Sequence, residues 1–187
     1  MSDTIECFTG FYIETGAAAV CGIVLTDGIK KWPGFAVREE GDYLIGLLEL
    51  LIERIEFWKG KLQNRHIHLQ IHVHHKNKNF SDVLAKIIKA ADTARGYEAR
   101  VRDNIIKHTL TRKDHHKPAC YERMAELAKL LVEINDPTYR VTLSTQRDSN
   151  SPDQLAVYTA CQGEWHDLQA ASAEAATVVS MGVPAEN

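Results

Sequence analysis

The sequence predicts a mixed α/β (α+β) protein, a sheet with helices packed against it, on three observations. From His66 to His74 polar and apolar residues alternate strictly: His66, His68, Gln70, His72 and His74 against Ile67, Leu69, Ile71 and Val73. That period of two is a strand's. Leu44, Leu47, Leu48, Leu51, Ile55 and Trp58 instead follow helical spacing. Finally, three β-prone segments precede that helix, and strand and helix patterns alternate after it. An antiparallel meander that feeds parallel strands through helical crossovers gives a mixed sheet.

The β-prone run Ile5 to Ile13 and the apolar run Ala17 to Leu25 flank a turn at Glu14-Thr15-Gly16, which reads as a hairpin. Asp27-Gly28 is a turn signal, and Lys31 to Val37 follows as a third strand. Pro33 within it argues for an edge strand or an irregular start. The helix over Gly41 to Trp58 has a second apolar flank in Ile45 and Ile52, so it is buried on more than one side. After the histidine strand, Ser81 is a candidate cap for a helix bearing Val83, Leu84, Ile87, Ile88 and Ala91. Val101 to Leu110, with Ile105 and Ile106 at its centre, reads as a further strand. A basic loop, Thr111 to Lys117, leads to Pro118 and a helix striped by Cys120, Met124, Leu127, Leu131 and Ile134. Residues 1–137 are thus expected to form the domain. Residues 138–187, with a possible strand at Tyr139 to Ser144 and an Ala-rich helical stretch from Trp165 to Met181, are expected as a C-terminal appendage.

The 187 residues are 44% hydrophobic and 25% charged, an ordinary composition for a protein with a proper core. No apolar run approaches the roughly 20 residues that span a bilayer. The N-terminus lacks the basic and apolar regions of a signal peptide, and a cytoplasmic location with no membrane partner is expected. Cys7, Cys21, Cys120 and Cys161 show no CxxC pairing and read as reduced, buried thiols. The net charge of −3 hides an asymmetry. Between Lys76 and Arg123 twelve Lys and Arg face six Asp and Glu, whereas from Thr138 onward the balance is −4. A basic middle suits a polyanion partner, and equally a solvated helix face.

The order of elements, with these local strings, resembles the ribonuclease H family from about Phe11 to Leu131. In that family a first strand ending Asp-Gly-Ser opens the hairpin; here FYIETG puts Glu14 at the Asp. The first helix begins Ala-Glu-Tyr before a leucine-rich run; here Gly41-Asp42-Tyr43 precedes LIGLLELL, and Asp42 takes the Glu position. The fourth strand ends Asp-Ser, and IHVHH places His74 at that Asp. A His-containing loop before the last helix matches HTLTRK, which offers His108. The helix string resembling ADALAKLA is MAELAKLL, with Ala125 at the Asp, Glu126 beside it and Glu122 a turn earlier.

The resemblance implies a five-stranded mixed sheet flanked by helices, with the appendage beyond it. It also implies a site where four carboxylates hold two Mg²⁺ or Mn²⁺ ions about 3.5–4 Å apart for phosphodiester hydrolysis. The corresponding set here is Glu14, Asp42, His74 and Glu126 for metal, with Glu14, Asp42, His74 and His108 as catalytic positions. An imidazole in place of a bridging anion favours softer ions, Zn²⁺ or Mn²⁺ over Mg²⁺. Each residue has a plain reading beside this one: Glu14 a solvated turn residue, Asp42 a helix cap, His108 and Glu126 surface residues. Arg112, Lys113, His115, His116 and Lys117 form the expected phosphate-contact patch.

Three functions follow as expectations. One is a divergent ribonuclease H-like protein that binds an RNA–DNA hybrid or duplex and retains metal-dependent cleavage. The second is the same fold with a decayed site, a module that binds nucleic acid or protein. The third is a zinc protein built on the histidine strand, since alternate residues of a strand share a face and H-x-H is a zinc geometry.

Overall fold

The computed structural model describes residues 2–14, 18–38, 42–59, 61, 64–74, 77–111, 117–135, 140–146 and 151–181. Its sheet is built from β1 (Ser2–Tyr12), β2 (Ala19–Thr26), β3 (Lys31–Arg38), β4 (His66–His72) and β5 (Arg140–Gln146). The strand order is β3-β2-β1-β4-β5. β1 pairs antiparallel with β2, and β2 with β3; β1 pairs parallel with β4, and β4 with β5. Helices α1 (Tyr43–Lys59), α2 (Lys78–Ala94), α3 (Ala99–Thr109), α4 (Pro118–Glu133) and α5 (Pro152–Met181) complete the chain.

Period-two alternation sorts the side chains between two faces. Cys7, Ile23, Leu69 and Ile71 point to the main core, which they share with Leu47, Leu51, Leu84, Ile87, Met124 and Leu127 of α1, α2 and α4. Phe8 and Val20 point to the other face, where Val157, Cys161 and Trp165 of α5 close a smaller cluster. β2 is buried along both faces, whereas β3 alternates exposed and half-buried residues, as expected for the edge strand that carries Pro33.

The long helix α5 lies close on the sheet because glycines lie beneath it. A Cβ at Gly22 would stand 2.6 Å from Cys161 Sγ, and one at Gly10 would stand 3.1 Å from Val157 Cγ1. Trp165 Nε1 donates to the Ala18 carbonyl at 2.9 Å, and the Gln154 amide donates to the Thr9 carbonyl.

One element differs in kind from its expectation. Val101 to Leu110 is not a strand; Val101 to Thr109 belongs to helix α3, whose only buried residue is Ile106, and Leu110 caps its end. Val101, Ile105 and Thr109 recur every four residues, so a short apolar run read as β also fits one side of a helix. The fifth strand comes instead from Arg140–Gln146, hydrogen-bonded along β4. The chain therefore runs three strands, helix, strand, three helices, strand, helix. With its two parallel pairs at one side and antiparallel pairs at the other, the sheet has the five-stranded mixed arrangement that the sequence resembles.

All four cysteines are free and buried, in keeping with the thiol reading. Burial pushes the Cys7, Cys21 and Cys161 thiols up to about 12 and also raises that of Cys120.

Candidate functional site

The C-terminal ends of the parallel strands β1 and β4 lie side by side, where the resemblance expects its ligands. The register pairs Phe8 with His72, so two residues further on Gly10 comes level with His74. A cavity of about 310 Å³ opens there, lined by Gly10, Phe11, Tyr12, His74, Asn77 and Gln154 among others. Its polar lining includes the Thr9, Tyr12 and Tyr158 hydroxyls, the His74 imidazole and two amides. Asn77 at 2% exposure and Gln154 at 0% are buried. Neither the Asn77 amide nor Gln154 Oε1 has a hydrogen-bond partner among the described residues. Buried unpaired amides are costly, which makes them good receivers of a ligand or of water.

The expected metal ligands are distributed differently. Glu14, two residues past β1, is exposed and accepts a hydrogen bond from the Tyr12 hydroxyl at 2.9 Å. That carboxylate raises the Tyr12 pKa, since it holds the phenolic proton. Asp42 precedes α1 and its carboxylate takes the Lys117 ammonium, so two sequence candidates do meet, as an ion pair. Glu126 is bonded to Arg123 at 2.6 Å, and Arg123 also reaches Glu49 at 3.0 Å.

The ties Asp42–Lys117, Glu49–Arg123 and Lys59–Glu133 come in the same order along α1 and α4, so the two helices run parallel. Glu126 then lies nine residues beyond Lys117, roughly 13 Å along the helix at 1.5 Å per residue, and the structure does not bring it to Asp42. The helix that follows the last strand is α5, which opens PDQLAVYTA, and not the one containing MAELAKLL. At its start Asp153 lies 3.6 Å from Lys31.

His108 is exposed on α3, which packs against α2 and α4. Arg112, Lys113, His115 and His116 lie outside the described residues.

The histidine row serves the sheet. His68 is in hydrogen-bond contact with two hydroxyls of β5, Thr142 Oγ1 at 2.9 Å and Ser144 Oγ at 2.8 Å. His72 is buried and stacks on Phe8 with centroids 4.4 Å apart. Gln70 donates to Gln146 at 2.6 Å. Among the described residues no three His, Cys, Asp or Glu are grouped so as to hold a metal ion.

Positive charge gathers elsewhere. Arg100, Lys107 and His108 are exposed on α3, and Arg100 and Lys107 share one helix face at a spacing of seven. The one carboxylate within α3, Asp103, is bonded to Lys129 at 3.2 Å, and Arg100 and Lys107 have no ion pair among the described residues. The charge count of the basic middle already contained these residues, but reading the segment as a strand hid the face they share. Nothing in the sequence pattern singled out Asn77 or Gln154, since a lone amide carries no periodic signal.

The sheet order and strand directions settle the architecture. The fold is ribonuclease H-like. Among solved structures, the chain is similar to a ribonuclease H1 from the halophilic archaeon Halobacterium salinarum, with 10% identity, 86% of this chain and 98% of that one covered, and a TM-score of 0.47. No family model and no curated protein matches the chain. Among the described residues no helix is long and apolar enough to cross a membrane.

Proposed function

We propose that this chain is a ribonuclease H-fold module that binds duplex nucleic acid through the basic face of α3, without metal-dependent cleavage. The observation that carries the reading is that face, with Arg100, Lys107 and His108 exposed and its lone carboxylate already engaged. Cations without carboxylate partners keep their full attraction for phosphate, and phosphate contacts supply most non-specific affinity. Lys117 extends the basic run in sequence but is held by Asp42. The grouping of acidic and imidazole side chains supports binding over hydrolysis, because Asp42 is neutralised and Glu126 lies down a different helix.

The test is fluorescence anisotropy on a labelled RNA–DNA hybrid across a salt series. Binding is expected to weaken steeply with salt. Replacing Arg100 and Lys107 together by alanine is expected to flatten the log–log slope by about two, near 0.9 per phosphate contact. An unchanged slope would remove α3 from the interface. The second reading, a nuclease using Glu14, Asp42, His74 and His108, predicts Mn²⁺- or Mg²⁺-dependent cleavage of the same hybrid. Cleavage that is lost on Asp42→Asn and on His74→Ala would replace the binding-module reading.

A further inference from the structure

The opposite ends of β1 and β4 open on a second and larger cavity of about 530 Å³, within the range of small-molecule sites. Its aromatic wall is Trp32 from β3 with Phe57 and Trp58 from α1. Its charged groups are Lys30, Arg54, Lys61 and Arg65, against Asp3 and Asp27.

Both carboxylates are already engaged. Asp3 takes Arg65 at 2.9 Å. Asp27 accepts the backbone N–H groups of Ile29 at 2.9 Å and Lys30 at 2.7 Å, and these bonds hold its carboxyl below the usual range. Lys30, Arg54 and Lys61 have no salt bridge among the described residues. Two of them rest on an aromatic ring instead: Lys61 Nζ lies 3.7 Å from the Phe57 centroid and Arg54 Cζ lies 5.9 Å from it.

Phe57 is 52% exposed, so a large apolar ring near the end of α1 faces solvent in a basin whose four cations outnumber its two carboxylates. At the end of α1 the Trp58 carbonyl accepts the Lys61 N–H at 2.8 Å. A flat apolar surface beside surplus positive charge is complementary to a nucleobase joined to a phosphate.

We infer that this basin is a nucleotide-recognition site, in which a base stacks on the Trp32, Phe57 and Trp58 wall and its phosphate draws Lys30, Lys61 and Arg54. A paired base cannot reach such a wall, so the ligand is either a free mononucleotide or an unpaired nucleotide of a single strand. In the single-strand form the inference rests on the nucleic-acid reading above; in the mononucleotide form it stands alone.

The experiment titrates the full chain with a short labelled oligothymidylate and, by calorimetry, with thymidine monophosphate. Phe57→Ala and Lys61→Glu change exposed side chains, and thermal melting checks that both variants stay folded. Each is expected to weaken binding roughly tenfold, the scale of one stacked base. Binding of both probes identifies a free-nucleotide site, and binding of the oligonucleotide alone identifies a strand site. The inference is overturned if wild type binds neither probe, or if both variants bind as wild type does. Arg100→Glu with Lys107→Glu separates the two readings, because it is expected to reduce hybrid binding and leave mononucleotide binding unchanged. Loss of probe binding in Phe57→Ala with no hybrid binding at all would keep the basin and discard the α3 interface.

Discussion

The two ends of the parallel pair β1–β4 are built from opposite materials. At the C-terminal end Gly10 and His74 line one cavity with Phe11, Tyr12 and Tyr158, and its buried polar residues are Thr9, Asn77 and Gln154. At the N-terminal end four cations and three aromatic rings surround a wider opening, and its carboxylates are engaged. The first end holds the smaller cavity and no Lys, Arg, Asp or Glu in its lining; the second is wider and carries an excess of cations. A resemblance carried by strings of residues points to the first end because ligands are expected where those strings end. Charge and exposure point to the second, and to α3. Where the fold places a site and where the surface can attract an anion are separate questions in this chain.

The largest expected effect tests how tightly the core is sealed. Burial holds Cys7, Cys21 and Cys161 at about 12, against an ordinary 9.0. Below pH 9 both folded and unfolded chains keep these protons, and the stability they contribute is fully present. Between about pH 9 and 12 only the unfolded thiols ionise, so stability falls, by up to about 4 kcal/mol per thiol. Urea midpoints should drop from pH 8 to pH 10, and the drop should shrink in Cys7→Ala. The native thiols should also react slowly with a disulfide reagent at neutral pH. A midpoint insensitive to pH up to 10 would mean that the interior is wetter than the packing implies.

Gly10→Asp comes next, and it would place a carboxylate at the C-terminal end. Its Cβ would meet Val157 Cγ1 at 3.1 Å and the Tyr158 backbone N at 3.3 Å. Overpacking and a buried charge together should cost at least about 3 kcal/mol, seen by chemical denaturation. A neutral outcome would show that α5 lifts easily off the sheet. Gln154→Leu is milder. It removes the donor to the Thr9 carbonyl but also an unpaired Oε1, so the loss should be about 1–2 kcal/mol. A gain in stability would mean that the amide is held there for a ligand at the expense of packing.

Much of this architecture was legible in the sequence, and the residues say why. The alternation of His66 to His74 and the stripe from Leu44 to Trp58 each extend over enough residues to fix one period. Val101 to Leu110 does not: with only Ile106 and Leu110 fully buried, its apolar residues fit either period. Arg140–Gln146 is a half-buried edge, so its alternation is faint and its place in the sheet depends on pairing with a strand some 70 residues earlier. The site was less legible. Glu14, Asp42, His74 and Glu126 were aligned by string, yet whether they share a site depends on which helix follows the last strand. Trp32 and the stretch from Phe57 to Lys61 lie some 25 residues apart and meet only through the fold, so no spacing could announce them.

The smallest expected effect is the sharpest probe of the open end. Asp3 and Arg65 form an exposed pair, with side chains 55% and 62% accessible. Such pairs contribute under about 1 kcal/mol, so Asp3→Asn should barely move the thermal midpoint. It should nevertheless remove one negative charge from the basin and release Arg65 toward an incoming phosphate. Mononucleotide affinity should therefore rise a few-fold at low ionic strength, and the gain should fade as salt shortens the reach of surface charge to about 10 Å at 0.1 M. A gain that persists at high salt would assign Arg65 a direct contact, because close bonds are screened less than distant attraction. No gain at any salt would mean that the Phe57 wall, rather than the count of cations, sets the affinity of this end.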